Sequence, residues 1–244
     1  MEANMPTKIS VELLPRSREQ LLADAAIVAQ YPEVTHINVP DQEKFTLRSL
    51  DAVEDLREAY GERFIYVPHL PALRMPEDPR LDMRDLWLVV QGDPPTSMRP
   101  CQSSTSRELI RFCAMFSPMA AAIDQYRGMA ADEIAYVKEK ISLGAKIFFT
   151  QPFFSLRSLE AWETILAPLS IEVFYGVSPV TTEKSKAYWE KMNRVIFPPD
   201  FSLEFDAQID FARNMIAWAR LHGRSVYLMP IRVNLKEYLD GVFR

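Results

Sequence analysis

Eight polar side chains stand at the ends of short apolar runs in this chain: Glu12, Asn38, His69, Gln91, Asp93, Asp124, Gln151 and Arg232. Their types suit proton transfer and hydrogen-bond recognition. Glu12 sits between Val11 and Leu13. A carboxyl in dry surroundings has its pKa raised by desolvation, so it can hold a proton near neutral pH and deliver it. A solvated edge residue or a salt-bridged core acid fits the same position. Asp93, in Gly92-Asp93-Pro94-Pro95, is either a turn former or a carboxylate that accepts hydrogen bonds from a donor-rich heterocycle. The primary amide of Gln151 both donates and accepts, so it can pair in two directions with the edge of such a ring. His69 reads as a satisfied strand-end histidine. It has no acidic partners at metal-ligand spacing, and no metal site is expected.

The elements that must carry these groups repeat one pattern, clearest between Gly144 and Phe154. Gly144 stops an amphipathic run marked by Ile134, Val137 and Ile141, at a place where a left-handed cap favours a residue without Cβ. Ile147-Phe148-Phe149 is a continuous apolar run, the mark of a strand covered on both faces. Thr150-Gln151 supplies a polar tip, and Pro152 removes a ladder donor. Further strands are expected over 8–14, 35–39, 63–70, 86–93, 118–123, 171–176 and 225–229. Helices are expected from the Ser17 capping box through Val28, and over 46–60, 105–116, 130–143, 156–166, 182–192 and 206–221. Residues 72–84 carry two prolines and read as an irregular crossover.

Seven of the eight expected strands are followed by proline within three residues. Strict alternation of strand and helix predicts parallel βαβ units with right-handed crossovers. Eight such units in 244 residues fit a TIM (β/α)8 barrel forming a single domain over 1–244, with no regulatory domain. A doubly wound open sheet would more often show a Gly-rich first turn, and this chain has only 7 glycines, none in such a turn. In a barrel the polar residues at the strand ends converge on the C-terminal face.

Composition removes other classes. A net charge of −5 and the lack of a Lys/Arg run that would track phosphates argue against nucleic-acid binding. No apolar run reaches the roughly 18 residues of a membrane span, and the first ten residues have no signal-peptide core. Cys101 and Cys113 lack metal-ligand spacing, so a cytoplasmic protein with free thiols is expected. A homo-oligomer is compatible with all of this.

Five short stretches, in order, resemble the methylenetetrahydrofolate reductase family. Val11-Glu12-Leu13-Leu14-Pro15 is similar to its F-E-F-F-P opening, Pro68-His69-Leu70 to its H-L-T strand, and Gly92-Asp93-Pro94-Pro95 to its R-G-D-x-P loop. Gly144 through Phe154 resembles G-A-x-x-x-x-T-Q-x-F-F, and Tyr175 through Val180 resembles P-G-I-x-P-V. The resemblance implies a TIM-barrel flavoenzyme that passes a hydride from NADH or NADPH, through FAD, to the methylene carbon of a tetrahydrofolate adduct, as in methionine biosynthesis. It implies Glu12 as the proton donor that opens the imidazolidine ring. Asp93, Gln151, Arg232 and Trp189 would bind folate, and His69, Gln91, Gly92, Asp93 and Lys140 would bind the flavin. Trp189 also reads as a core residue on a helix.

The chain departs from the family pattern mainly on the flavin side. Pro40 replaces a threonine, Gln91 replaces the Arg of R-G-D, and Tyr136 and Glu139 stand where an amide and a cation are expected. Glu139 would repel a pyrophosphate. A reduced member that binds folate while holding FAD weakly, differently or not at all is therefore expected. Two other readings stay open: a folate methyltransferase-like enzyme without redox activity, and a noncatalytic folate-binding partner subunit.

Overall fold

The computed structural model describes residues 6–75, 80–94, 104–117 and 119–244. Eight parallel strands close into one barrel in sequence order: β1 (Ile9–Glu12), β2 (Val34–Val39), β3 (Ile65–Pro71), β4 (Trp87–Val90), β5 (Met119–Ile123), β6 (Ile147–Pro152), β7 (Glu172–Val177) and β8 (Ser225–Leu228). The helices between and after them are α1 (Arg18–Val28), α2 (Ser49–Tyr60), α3 (Ser106–Cys113), α4 (Ala130–Ser142), α5 (Leu156–Leu166), α6 (Glu183–Asn193), α7 (Phe205–His222) and α8 (Leu235–Phe243). The expected TIM barrel and its single domain are thus what the chain forms. Among the described residues no helix is long and apolar enough to cross a membrane.

Local chemistry explains most boundaries. Ser17 accepts from the Gln20 amide to start α1, and Thr105 with Glu108 forms a reciprocal capping box at α3. Gly61 and Gly223 take positive φ after α2 and α7. Several expected limits shift. Helix α2 begins at Ser49 instead of residue 46, because Ser49 Oγ donates to Val39 O at 2.6 Å and its N–H donates to Asp41 Oδ2 at 3.1 Å, which ties the helix start to the tip of β2. Pro71 and Pro152 lie inside β3 and β6 instead of after them; beyond Pro152 the pairing continues as Phe153 N–H donates to Gly176 O at 2.8 Å. The nine-residue helix α8 was not expected. Its Gly241 resembles a stop signal, yet a Cβ there would lie 2.5 Å from Ile209 Cδ1, so the glycine serves close packing of α8 on α7.

Strand alternation makes two cores. One face of the sheet packs beneath the helices through residues such as Val11, Ile37, Tyr66, Trp87, Phe148 and Tyr175. The inner face fills the barrel with Val67, Leu88, Ala120, Phe149, Phe174 and Tyr227. Phe149 stacks on Phe174 with centroids 4.5 Å apart, and Tyr227 meets Phe149 edge-on at 5.3 Å. This aromatic plug forms a solid floor under the C-terminal mouth.

One glycine sets the geometry of that mouth. A Cβ on Gly176 would lie 2.8 Å from Thr150 O and 2.9 Å from Gln151 O, so only glycine lets β7 approach the tip of β6 this closely. Gly176→Ala is expected to lower stability by about 2 kcal/mol, read as a fall in the urea midpoint at unchanged slope. A wild-type midpoint would show that the strands separate freely there.

Candidate functional site

Six of the expected site residues line one cavity at the C-terminal mouth, of about 370 Å³: Glu12, His69, Asp93, Gln151, Trp189 and Arg232. They arrive from β1, β3, β6, α6 and the segments after β4 and β8. The volume lies toward the lower end of the roughly 300–1,000 Å³ of small-molecule pockets, enough for one ring system and its substituents.

Glu12 caps the first strand, partly covered, and its carboxylate receives a short hydrogen bond from the Tyr227 hydroxyl. Burial pushes its pKa up from 4.5 to about 7, opposed by the Tyr227 hydrogen bond and the Lys44 charge. Protonated and ionised forms are therefore both accessible near neutrality, as a group that gives and takes a proton requires. Tyr227 went unnoticed in the sequence, where a lone tyrosine in an apolar strand looks like core. Its own ionisation is pushed far up by burial and by Glu12, so it remains a donor.

Gln151 is presented by its backbone. The Gln125 amide clamps it from both sides, with Gln125 Nε2 donating to Gln151 O at 2.7 Å and Gln151 N donating to Gln125 Oε1 at 3.1 Å. Thr150 Oγ1 donates to Gln151 O at 2.8 Å and accepts from Gly176 N at 2.8 Å. The Gln151 side-chain amide makes no hydrogen bond among the described residues and faces the cavity. Asp93 is held similarly: buried Arg74 donates from Nε to Asp93 O at 3.0 Å and from Nη2 to Asp41 O at 3.0 Å, tying the tips of β4 and β2 together. Gln125 and Arg74 leave no sequence signal beyond being polar in largely apolar surroundings.

His69 is neutral, because burial lowers its pKa to about 3. Its Nε2–H donates to Asn38 Oδ1 at 3.1 Å, while Asn38 Nδ2 donates to Ser10 Oγ at 2.5 Å. Asn38 is thus an internal brace. Asp124 is also turned away from the cavity: its carboxylate accepts from Tyr126 N at 3.1 Å, and its N–H donates to Glu133 Oε1 at 2.9 Å.

Trp189 satisfies both of its readings. It packs against Phe154 at 5.9 Å in a satellite cluster with Val180 and Val195, and it also borders the cavity. The adjacent Tyr188, half exposed, is the more accessible aromatic wall, and the Arg232 guanidinium lies 5.7 Å from its ring.

The residues expected to hold a flavin are not gathered into this mouth, apart from His69 and Asp93. Lys140 is buried, donates to Ala122 O at 2.5 Å and lies 4.1 Å from the Tyr136 ring; burial lowers its pKa to about 8. The Gln91 carboxamide accepts from Ser106 N at 3.0 Å and so closes the start of α3. Gly92 has φ 73° and sits against Pro71, whose Cβ would be 2.7 Å from an added Cβ, which makes it a packing glycine. Glu139 pairs with Arg107 at 3.0 Å. These side chains are committed to the fold, and the described residues do not fit a flavin diphosphate site.

No family model and no curated protein matches the chain. Solved structures do. It is similar to a phospho-2-dehydro-3-deoxyheptonate aldolase (DAHP synthase) from Thermotoga maritima at TM-score 0.57 and 12% identity, covering 98% of this chain and 68% of that one. It is similar to a Yersinia pestis DHPS with a pterine-sulfa conjugate at TM-score 0.53 and 14% identity, covering 98% and 92%. A deoxyribose-phosphate aldolase described as putative, from Toxoplasma gondii, matches at TM-score 0.51 and 10% identity, covering 98% and 94%. At such identities the likeness establishes the fold, a TIM barrel, which carries many chemistries.

Proposed function

We propose that this protein interconverts methylenetetrahydrofolate and methyltetrahydrofolate, exchanging the hydride directly with a nicotinamide dinucleotide instead of through a bound flavin. The observation that carries this reading is the Glu12–Tyr227 pair, a carboxyl with its pKa pushed up to about 7 in the same cavity as Gln151 and Asp93. The sequence resemblance to methylenetetrahydrofolate reductases adds to it. So does the fact that a barrel of this type, the Y. pestis DHPS, holds a pterine conjugate. NADH or NADPH is the cosubstrate.

Glu12 delivers its proton to N10 of the methylene adduct. The C–N10 bond breaks, N10 leaves as a neutral amine, and the carbon remains on N5 as an iminium. A hydride from the dihydronicotinamide then forms the C–H bond of the methyl group and leaves an oxidised nicotinamide. Glu12 regains a proton from solvent. Gln151 and Asp93 supply an amide and a carboxylate for the donor-rich pterin edge, and neutral His69 adds no positive charge beside the developing cation.

Three outcomes are expected. The purified protein is colourless, and it oxidises methyltetrahydrofolate with a nicotinamide acceptor at a rate that added FAD does not raise; a stoichiometric yellow protein would overturn the flavin-free step. Methylene reduction by the wild type declines as pH rises through about 7, as Glu12 loses its proton. Glu12→Gln abolishes turnover by at least about 100-fold while folate still binds, and Tyr227→Phe moves the limb to higher pH, because the lost hydrogen bond favoured the carboxylate. Unchanged turnover in Glu12→Gln would remove Glu12 from the mechanism.

The same carboxyl has a consequence for stability. Its folded pKa is raised above its unfolded one, so the destabilisation is absent below 4.5, grows as pH rises from 4.5 to about 7 because the unfolded chain ionises first, and stays at its full value above that. Glu12→Gln is accordingly expected to stabilise the protein on the order of 2 kcal/mol at pH 8 and little at pH 4, measured by urea unfolding at the two values.

A further inference from the structure

Among the described residues, exposed large apolar side chains gather chiefly in two places. One is the rim of the mouth, where Tyr188, Met192 and Ile196 follow one another on and after α6. The other lies at the far end of the barrel, because each helix runs back from the mouth toward the start of the next strand. There Phe112, Met115 and Phe116, at and just beyond the end of α3, and Met83, shortly before β4, are 46–68% exposed. They form one strip. The rings of Phe112 and Phe116 meet edge-on at 5.2 Å, and Ser117 Oγ donates to Met83 O at 3.4 Å, which holds Met83 against the end of the helix. Four such side chains side by side make a patch of the kind that marks an interaction surface.

We propose that this strip is the interface between two copies of the chain, joined face to face about a two-fold axis that runs along it. Its two edges are complementary in charge. On one edge Arg107 pairs with Glu139 of α4 at 3.0 Å, and Arg111, one turn on in the same row, is exposed and makes no ion pair or hydrogen bond among the described residues. On the other edge, beyond Met83, the exposed Glu62 pairs with Arg84 at 3.1 Å, and Arg84 with Asp82 at 2.6 Å. An axis along the strip sets Arg111 of each copy against the partner's Glu62, so two ion pairs flank one apolar centre. A dry centre within a charged rim is the anatomy of a stable interface, which takes about 800 Å² from each partner. Pairing at this end leaves both mouths open, whereas a partner seated on Tyr188, Met192 and Ile196 would cover the cavity that Tyr188 lines.

Sedimentation velocity of the full chain over a range of concentrations tests this, with urea unfolding to check that each variant is folded. Wild type is expected to sediment as a dimer at tens of micromolar. Met115→Glu, at the most exposed position of the strip, is expected to keep its fold and to raise the dimer dissociation constant at least about 30-fold. Arg111→Glu and Glu62→Arg are each expected to weaken the dimer by about tenfold, and the double variant to recover most of the loss, because the exchanged charges meet again across the axis. Ile196→Glu, on the other patch, is expected to leave the dimer intact. A wild type that stays monomeric would overturn the second copy as occupant and leave the strip to a different protein. A dimer that survives Met115→Glu, or that Ile196→Glu dissolves, would overturn this interface. A double variant no tighter than the two single ones would overturn the two-fold arrangement of its edges.

Discussion

The ladder that joins the first strand to the last decides everything at the mouth. Ser10 pairs with Tyr227 and Val11 with Leu228, so β1 and β8 close the barrel and bring Glu12 under the Tyr227 hydroxyl across 215 positions of sequence. A carboxyl at the end of an unpaired edge strand would be hydrated and acidic. Closure buries it, supplies its hydrogen-bond donor and places it on a floor of stacked aromatics. The raised pKa is thus a property of the closed sheet.

The rest of the mouth follows the same logic, in which backbone is fixed so that side chains are free. Gln125 holds Gln151 by its peptide groups and leaves its carboxamide pointing into the cavity. Arg74 holds Asp93 by its carbonyl and couples it to the carbonyl of Asp41, just past the end of β2. In both cases a buried polar side chain satisfies main-chain groups that the irregular strand ends would otherwise strand without partners. Rigid presentation of this kind lets an amide and a carboxylate act on a ligand without first paying to order themselves.

Outside the cavity lining, other polar residues have been drawn into the fold. Lys140, Gln91 and Glu139 each satisfy a carbonyl, a helix start or an ion pair. Their positions in sequence raised the expectation of a cofactor site, and their partners in space show a structural use. A residue type at a matching position says what a side chain is able to do, and only its neighbours say what it does.

The barrel was legible in the sequence because its signals are local: apolar runs covered on both faces, prolines after strands, capping residues before helices and glycines after them. Glu12, His69, Asp93, Gln151, Trp189 and Arg232 were legible as mouth residues for the same reason, since a strand end in a parallel barrel has a known destination. Helix α8 escaped notice because Gly241 serves a contact with Ile209 that no local pattern reveals. Tyr227, Gln125 and Arg74 escaped because their roles depend on partners 215, 26 and 19 positions away. Local propensity and periodicity are written along the chain; the burial that moves a pKa and the partner that fixes a side chain arise only when distant strands meet.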